Sequence, residues 1–371
     1  MKYYLIAGEA SGDLHGSFLM RALKQRDPDA RFRYYGGDKM QAEGGELVSD
    51  YREGAIMGFA TVLFHLPAIL RRMNDCKRDI AAWRPDVVIL IDYPGFNLRI
   101  ARYLKQSGLC PVYYYIPPKV WAWKERRVKK IRRYVDRIFC IFPFEVDFYA
   151  KHGCVAEYVG NPSVDSVSHA TTVSREDFLR KAGLPDKPIV ALLPGSRRQE
   201  VRLCLPTLLA LNRAAFPQYQ FVLAATSSLE SDAYKDVDVP VVWDCAYELL
   251  QHAEAAVVNS GTATLETALL NVPEVVCYQL PAKYISYPII YGMLLKIKYV
   301  SLVNIIAGKE VVRELLAYHL TPKALEEQLH RLLEDPDNRR RMLDDYAEIR
   351  RVLTRQVASE SAAEKIVSAL R

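Results

Sequence analysis

Short apolar runs alternate with helix-like patterns along the chain, and this alternation predicts the fold class. In the first 160 residues the predicted strands are Tyr3–Ala7, Phe32–Tyr35, Val87–Ile91, Val112–Ile116 and Ile138–Ile141. Several of these runs are apolar at every position, which is typical of parallel strands that helices cover on both faces. The pattern therefore indicates a βαβ series, in which ligands bind at the carboxyl ends of the strands.

A second alternating series follows residues 160–174, where few large apolar side chains and no periodicity indicate a linker. Its predicted strands are Ile189–Leu193, Phe221–Ala224, Val239–Trp243, Ala255–Val258 and Val275–Tyr278, and its predicted helices lie near residues 200–216, 247–251 and 262–270. We therefore expect an α/β protein made of two doubly wound domains with a cleft between them. The expected divisions are 1–168, 169–345 and a C-terminal helical segment, 346–371, that can pack back on the first domain.

Composition adds few constraints to this picture. A chain of 371 residues, half hydrophobic and a quarter charged, is typical of an ordinary globular protein with two cores. The formal charge of +6 favours anionic partners, because much of the excess lies in one stretch, residues 124–133. The seven cysteines are scattered and never spaced C-x-x-C, so neither a disulfide framework nor a zinc site is indicated.

The N-terminus and two apolar segments indicate where in the cell the protein is located. Residues 1–9 reach Glu9 too soon for a secretory leader and match a first strand, so we expect a cytoplasmic protein. Residues 55–70 contain His65 and Pro67, and residues 285–303 contain a proline and two lysines, so neither is a convincing transmembrane helix. Both segments are candidates for the core or for surfaces that touch lipid.

Two turns suited to phosphate follow predicted strands of the second half. Pro194-Gly195-Ser196-Arg197 follows the first strand, and Ser260-Gly261-Thr262 follows the fourth. Glycine allows close approach of the backbone to an anion, a helix start supplies free N–H groups, and arginine binds phosphate oxygens. Glu266, one helical turn beyond Thr262, is placed to accept hydrogen bonds from a ribose diol. The pair indicates a nucleoside diphosphate, although Ser260 and Thr262 as simple helix caps remain an alternative.

Two loops of the first half contain candidate catalytic and binding residues. Asp92 follows an apolar strand and precedes Tyr93-Pro94-Gly95-Phe96, so it is the best candidate for a general base. The loop Gly8–Gly16 contains Ser11 and Asp13 at the end of the first strand. Structural alternatives remain for both loops: Asp92 can bind the amides of its own turn, and Ser11 or Asp13 can cap the helix that follows.

The segment from Trp121 to Arg133 combines Trp121 and Trp123 with a dense basic run, in which Val128, Ile131 and Val135 form a narrow apolar stripe. Such runs are often solvated helix faces. Tryptophan beside basic residues also favours an anionic lipid surface or a phosphorylated amphiphile. We do not expect nucleic acid as a partner, because no binding module is present and the charge is confined to one patch.

Several common motifs are missing from the sequence. It has no G-x-x-x-x-G-K-[ST], no G-x-G-x-x-G after the first strand, no H-E-x-x-H, and no acidic D-x-D at a predicted strand end. ATPase and dehydrogenase activities are therefore disfavoured, and we expect neither a metal nor a cofactor. Protein groups, Arg197 and the helix start at Gly261, must then neutralise the leaving phosphate.

Five motifs follow one another over nearly the whole chain: Gly8–Asp13, Ile91–Asn97, Val120–Trp123, Leu193–Arg197 and Ser260–Glu266. In order and spacing they resemble the motifs of the lipid-A-disaccharide synthase family. The resemblance implies a GT-B fold with two Rossmann-like domains. It implies an inverting, metal-independent glycosyltransferase that joins UDP-2,3-diacylglucosamine to 2,3-diacylglucosamine 1-phosphate, giving a β-1,6-linked tetraacyl disaccharide 1-phosphate and UDP.

The same resemblance implies roles for individual residues. Asp92 corresponds to the base, Arg197 to a diphosphate-binding arginine, Asn304 to an asparagine near the nucleotide, and Glu266 to the ribose-binding acid of this fold. Ser196, Gly261 and Thr262 complete the UDP side. Ser11, Asp13, Trp121 and Trp123 form the acceptor side. The family also implies peripheral association with the inner membrane, and a homodimer is left open.

The chain departs from the family pattern at four positions. Asn161 replaces a histidine, Val303 a proline and Ala317 a glutamine, while Gly95 stands where an acid is frequent. The change at Ala317 puts one nucleotide contact in doubt, whereas the base is retained. Two other functions stay open: a UDP-N-acetylglucosamine 2-epimerase of the same fold, and a non-catalytic nucleotide-sugar-binding protein.

Overall fold

The computed structural model describes residues 1–54, 66–122, 125–229, 231–281 and 298–371, and within this part the chain forms two compact units. The first unit comprises Met1–Pro162 with Thr354–Arg371, and the second comprises Ser163–Leu353. Each unit has its own parallel sheet. The expected α/β class with two doubly wound domains is therefore confirmed.

The first sheet has seven strands among the described residues, in the order β3-β2-β1-β4-β5-β6-β7, all parallel. The strands are β1 (Lys2–Ala7), β2 (Arg31–Gly36), β3 (Glu46–Asp50), β4 (Val87–Ile91), β5 (Val112–Tyr115), β6 (Arg137–Cys140) and β7 (Ala156–Tyr158). The helices between them are α1 (Ala10–Arg26), α2 (Asp38–Ala42), α3 (Leu66–Trp83), α4 (Pro94–Ser107), α5 (Val128–Tyr134) and α6 (Pro143–Lys151).

Successive residues of β1 belong to different cores, as the two-residue period of a strand requires. Tyr3, Leu5 and Ala7 pack into one apolar cluster, while Tyr4 and Ile6 pack into the cluster on the other face. All five residues of β4 are buried, because helices cover both of its faces. The uninterrupted apolar runs of the sequence thus mark the centre of the sheet.

The second unit begins with α7 (Pro162–Ser168), whose first residue still belongs to the first unit, and α8 (Arg175–Ala182). Its sheet has the order β10-β9-β8-β11-β12-β13, with all pairs parallel. The remaining elements are β8 (Ile189–Leu193), α9 (Arg198–Leu209), β9 (Gln220–Ala225), β10 (Val241–Trp243), α10 (Ala246–Gln251), β11 (Ala253–Asn259), α11 (Thr262–Leu269), β12 (Glu274–Tyr278), α12 (Leu302–Ala307), β13 (Arg313–Leu316), α13 (Pro322–Glu334) and α14 (Pro336–Leu353).

The linker expected over residues 160–174 contains the division between the two units, after Pro162, and it also contains α7, which the sequence did not indicate. Proline at the first helical position and Asp165 in the first turn both favour a helix start. Seven residues with small side chains are too few to show a helical period, so the sequence pattern does not reveal α7. The helix expected to reach residue 216 also ends earlier, at Leu209, three residues beyond Pro206.

The last helix, α15 (Ala358–Leu370), belongs to the first unit and packs on α1. Ala362, Ala363, Ile366 and Val367 are buried in the same cluster as Leu19 and Leu23 of α1. Gly160 passes so close to the start of α15 that an added Cβ would lie 2.5 Å from the carbonyl oxygen of Gln356. Each fully buried aliphatic side chain stabilises this packing by about 1.5–3 kcal/mol.

Within the described residues, no helix combines the length and apolarity needed to cross a bilayer. Three parts of the predicted site and surface lie outside the described residues. They are Trp123, residues 55–65 of the apolar segment 55–70, and residues 285–297 of the apolar segment 285–303.

Candidate active site

The turns after β1 and β4 meet at the carboxyl edge of the first sheet, since Ala7 and Ile91 are register partners. Tyr93 lies against Gly8: a Cβ added there would be 2.3 Å from two atoms of the ring. The Tyr93 ring also stacks on Phe96, with centroids 5.5 Å apart. The glycine that the sequence places after β1 is therefore required by close approach of a side chain.

Asp92 is held in a strained backbone turn. Its φ is +43° and that of Tyr93 is +48°, the left-handed region that non-glycine residues rarely occupy. The Asp92 carbonyl accepts hydrogen bonds from Asn97 Nδ2 and from the Tyr114 hydroxyl, each at 2.7 Å. Its N–H donates to the carbonyl of Ile116 at 3.2 Å, and Ile116 is itself left-handed, with φ of +59°. Such strain concentrates at functional sites, where the surrounding structure maintains it.

Asp13 has a different role from the cap of α1 that the sequence left open. Its buried carboxylate accepts hydrogen bonds from the N–H groups of Gly37, Lys39 and Met40, at 2.7, 3.0 and 3.1 Å. It therefore caps α2 and ties α1 to the end of β2. Ser11 is exposed in the first turn of α1, and among the described residues no side chain caps the start of that helix. The cap alternative for Ser11 or Asp13 on α1 is thus wrong.

Trp121 lies on the segment after β5 and is half-buried. Its indole Nε1 donates to Glu145 Oε1 at 2.9 Å, and its ring meets Phe144 edge to face at a centroid distance of 4.9 Å. Glu145 was not identified from the sequence. Its position as the third residue of α6, after Pro143, is a helix-start pattern that could have drawn attention to it.

In the second unit, the two turns suited to phosphate follow neighbouring strands. Leu193 of β8 and Val258 of β11 are register partners, so both turns open at the same edge of the sheet. Gly195 has φ of +117°, and an added Cβ would lie 2.7 Å from Glu200 and 2.9 Å from Asn259 Nδ2. Asn259 ends β11 and is buried, and its Oδ1 accepts a hydrogen bond from the Cys204 thiol at 3.1 Å. Asn259 therefore packs against Gly195 of the first turn.

Arg197 is exposed, and its guanidinium pairs with Glu200 Oε1 at 3.2 Å. Glu200 Oε2 accepts the N–H groups of Ser196 and Arg197 at 3.2 and 3.3 Å, which fixes the start of α9. The guanidinium thus stays at the surface beside the glycine turn. This is the arrangement in which an arginine can reach a phosphate oxygen.

The second turn presents backbone donors. Gly261 precedes α11 and supplies no side-chain cap, and Gly261 and Thr262 are both exposed. Ser260 instead donates its hydroxyl to the Val300 carbonyl at 3.2 Å, which leaves the amides of the first helical turn without a serine cap. The start of α11 is therefore suited to an anion, because its N–H groups and helix dipole favour negative charge.

Glu266, one turn into α11, is partly exposed, yet protein atoms crowd its carboxyl group. Desolvation raises the pKa of this carboxyl to about 7, against a hydrogen bond from Tyr247 that lowers the pKa. Tyr247 was not identified from the sequence. The raised pKa and the hydrogen bond from Tyr247 make Glu266 a candidate functional group near the start of α11.

Asn304 is fully buried and uses its whole side-chain amide inside the fold. Its Nδ2 donates to the Val312 carbonyl and to Glu314 Oε1, at 2.8 and 2.9 Å, while its Oδ1 accepts from the N–H groups of Val311 and Val312. Glu314 also accepts the N–H groups of Val300 and Ser301. Asn304 therefore positions the segment before α12, beside the carbonyl to which Ser260 donates.

Ala317, where the family has a glutamine, is buried with a left-handed φ of +51° directly after β13.

Five side chains of the basic run are exposed. Arg126 precedes α5, and Lys129, Lys130, Arg132 and Arg133 lie on that helix. Val128 and Ile131 are buried beneath them, so the expected narrow apolar stripe faces the core.

Comparison with known proteins identifies the family. The sequence matches the family described as lipid-A-disaccharide synthetase over residues 3–369. The lipid-A-disaccharide synthase of Myxococcus xanthus (strain DK1622) is 40% identical, over 99% of this chain and 97% of the relative. That of Syntrophus aciditrophicus (strain SB) is also 40% identical, over 97% and 95%.

The chain belongs to the lipid-A-disaccharide synthase family. This membership confirms the resemblance, makes the chain a hexosyltransferase of lipid A biosynthesis, and matches the expected main function.

Solved structures of other proteins share the fold. The glycotransferase of kitacinnamycin has a TM-score of 0.66 at 16% identity, covering 100% of this chain and 99% of that one. The UDP-GlcNAc 2-epimerase of Neisseria meningitidis, solved with UDP-GlcNAc bound, has a TM-score of 0.62 at 11% identity, covering 100% and 99%. These likenesses confirm a GT-B type fold, while the epimerase is a structural neighbour alone.

Proposed function

We propose that this chain joins UDP-2,3-diacylglucosamine to 2,3-diacylglucosamine 1-phosphate in one inverting displacement. The observation that carries the proposal is the pair of anion-binding turns after β8 and β11, which open at the same edge of the second sheet. A diphosphate needs several donors at once, and two neighbouring turns supply them without a metal ion.

On the donor side, Ser196, Arg197, Gly261 and Thr262 bind the diphosphate, and Glu266 binds the ribose hydroxyls. The exposed guanidinium of Arg197 supports this division of roles, and so does the start of α11, which no side chain caps in the part of the chain that the structure describes. Asn304 takes a positioning role, because its side-chain amide already makes four hydrogen bonds within the fold. Charge accumulates on the diphosphate as the bond breaks, so these donors lower the barrier more than they strengthen substrate binding.

On the acceptor side, Asp92 acts as the general base. It takes the proton of the acceptor 6-hydroxyl as that oxygen attacks the anomeric carbon, and UDP leaves with the electron pair of the broken bond. Attack from the face opposite UDP inverts the anomeric centre. Ser11, Trp121 and Trp123 complete the acceptor side, and Asp13 positions the loop after β1 through its three hydrogen bonds to α2.

The test is product analysis with the purified chain and both substrates. Mass spectrometry should show the tetraacyl disaccharide 1-phosphate and UDP. Asp92→Asn should lower turnover by about 10²- to 10⁴-fold, the usual contribution of a general base, with UDP affinity unchanged. Epimerisation of UDP-N-acetylglucosamine alone would support the epimerase instead. An Asp92→Asn variant with full turnover would refute the assignment of the base.

We further propose that the exposed basic residues on and just before α5 bind anionic lipid head groups at the cytoplasmic face of the inner membrane. These residues are Arg126, Lys129, Lys130, Arg132 and Arg133. Each basic residue near such a surface contributes about 1 kcal/mol, so reversing several charges should abolish binding. The test is flotation with anionic vesicles. The variant reverses Arg126, Lys129 and Lys130, and the control reverses Arg313, Lys323 and Arg340. Unchanged flotation of the first variant would refute the proposal.

A further inference from the structure

Glu145 is a fully buried carboxylate that the proposed chemistry does not use. Its Oε2 accepts the N–H groups of Ile141 and Phe142, both at 3.1 Å, which caps the start of α6. Its Oε1 accepts the indole N–H of Trp121 at 2.9 Å. One oxygen therefore caps a helix, and the other is committed to a side chain from the loop after the neighbouring strand β5.

A helix cap alone does not explain a buried acid at this position. Burial raises the pKa of the Glu145 carboxyl to about 7, although three N–H donors and the charge of Lys119 lower it. A partly exposed serine, threonine or aspartate caps a helix without that desolvation cost. The cost is understandable if the orientation of the Trp121 ring matters.

The Trp121 ring is fixed on two sides besides its N–H group. It meets Phe144 at 85° and Phe142 at 88°, with centroid distances of 4.9 and 6.3 Å. Phe142 and Phe144 stack on each other at 5.6 Å and 7°. Phe142 is buried, whereas Trp121 and Phe144 keep part of their surface open to solvent. The cluster thus presents a rigid, partly exposed indole.

The loop that carries Trp121 is also tied to the Asp92 turn. Its first residue, Ile116, accepts the N–H of Asp92 at 3.2 Å and donates its own N–H to Phe139 of β6 at 3.2 Å. Strands β4, β5 and β6 are consecutive in the sheet, so Asp92, Trp121 and Glu145 all follow strand ends at one edge. The Glu145 and Trp121 pair therefore belongs to the same face of the fold as the proposed base.

We propose that Glu145 is a positioning residue of the acceptor subsite, which fixes the Trp121 indole so that its exposed face packs against the acylated acceptor sugar. The inference rests on the proposed function, since it takes the acceptor from that reaction. A ring that is already fixed before binding loses little conformational entropy when the acceptor arrives, and this is how the carboxylate contributes to affinity.

Steady-state kinetics of Glu145→Gln, Trp121→Phe and the double variant test the proposal. Glutamine keeps the shape but has one acceptor oxygen, so if that oxygen caps α6 its NH₂ group faces the indole N–H. Each single variant should raise the acceptor KM about 3- to 10-fold, the effect of freeing one or two side chains. The donor KM and kcat should stay within about twofold of the native values. The acceptor KM of the double variant should not exceed that of the more impaired single variant, because both changes act through one contact.

Trp83→Phe is the matched control, because Trp83 ends α3, where its carbonyl contacts Lys2 at the start of β1 and so lies at the opposite edge of the sheet. It should leave the acceptor KM unchanged. Unchanged acceptor KM in both single variants, or additive effects in the double variant, would overturn the role of Glu145 while the proposed function stands.

Absence of product from the native chain would instead refute the proposed function. Titration of tryptophan fluorescence with 2,3-diacylglucosamine 1-phosphate then decides the inference by itself. Weaker binding by Glu145→Gln than by the native chain would support the positioning role, and equal binding or none would overturn it.

Discussion

The ring of Tyr93 occupies the space where a side chain of Gly8 would stand. An added Cβ at Gly8 would lie 2.3 Å from Cγ and Cδ1 of Tyr93, and because Cγ lies on the axis of ring rotation, turning the ring about its Cβ–Cγ bond gives no relief. Because Tyr93 is left-handed and follows Asp92 directly, this contact couples the turn after β1 to the backbone of the proposed base.

Gly8→Ala should therefore displace Tyr93 and release the strained Asp92 turn. Inserting a methyl group into such a contact lowers the free energy of unfolding by about 1–3 kcal/mol. We expect the loss of turnover, expressed as activation free energy, to be larger than this loss of stability. Gly95→Ala, two residues after Tyr93, is the control, because a Cβ there would meet no atom of the described residues within 4 Å. Thermal unfolding and kcat, measured for both variants, check this prediction. Equal kcat in Gly8→Ala and Gly95→Ala would contradict it.

The central strands of each sheet could be predicted from the sequence, and so could the edge strand β10, which was expected at Val239–Trp243, whereas the other three edge strands could not. β4 and β8 match their predicted bounds because continuous burial on both faces makes every residue apolar. β3, β7 and β13 are short edge strands with glutamate in each, and none was predicted. Such strands form because a neighbouring strand supplies hydrogen bonds, which a local pattern does not encode.

The site was predictable to a similar degree. Glycines and polar residues directly after apolar runs indicated the turns after β1, β4, β8 and β11. Partners that reach the site from elsewhere in the fold, such as Glu145, Tyr247 and Glu314, were missed, because their spacing from the motifs carries no signal. The same limit explains why the role of Asp13 was missed, because its partners lie at the start of α2, 24 to 27 residues away in the sequence.

Arg197→Ala should remove a transition-state donor from the diphosphate. By comparison with loss of one oxyanion donor, we expect an increase of about 2–4 kcal/mol in the activation free energy, or about 30- to 1000-fold in kcat/KM. Arg198→Ala is the control, since that neighbouring guanidinium pairs with Asp232 at 3.1 and 3.2 Å. Equal losses for the two arginines would show a general charge effect rather than a specific contact.

Affinity for a UDP-sugar should depend on the ionisation of Glu266. The pKa of this carboxyl is raised to about 7 in the free protein, and ribose hydroxyls donate more strongly to the ionised form. Affinity should therefore rise as the pH increases from 6 to 8 and level off above the pKa, by about three- to tenfold. Tyr247, which donates to Glu266, stays neutral because burial raises its pKa.

Calorimetric titrations of the native chain and of Glu266→Gln at each pH check this dependence. A UDP-sugar is the suitable ligand, because its diphosphate has no titrating proton in this range. The glutamine variant should bind with an affinity that does not change with pH. A native chain with a flat profile, or a variant with the same slope, would contradict a contact between Glu266 and the nucleotide.

Stability of the second unit should fall as the pH rises, because of Glu274. This residue begins β12, is fully buried, and has no hydrogen-bond partner for either carboxyl oxygen among the described residues. Desolvation raises its pKa well above the usual value, so folding favours the protonated form. The unfolded chain releases this proton above about pH 4.3, so the stabilising contribution is complete below that pH and is lost as the pH approaches the raised value.

Glu274→Gln, which cannot ionise, should therefore flatten the pH dependence and raise the free energy of unfolding at pH 8 by about 1–3 kcal/mol. The neighbouring Tyr346 and Cys277 do not interfere, because burial raises the pKa of Tyr346, while a hydrogen bond with Cys204 and burial raise the pKa of Cys277. Denaturant unfolding at pH 5 and pH 8 measures the effect, with the exposed Glu327→Gln as control. A glutamine variant that is less stable than the native chain at pH 8 would mean that Glu274 is ionised and paired in the fold.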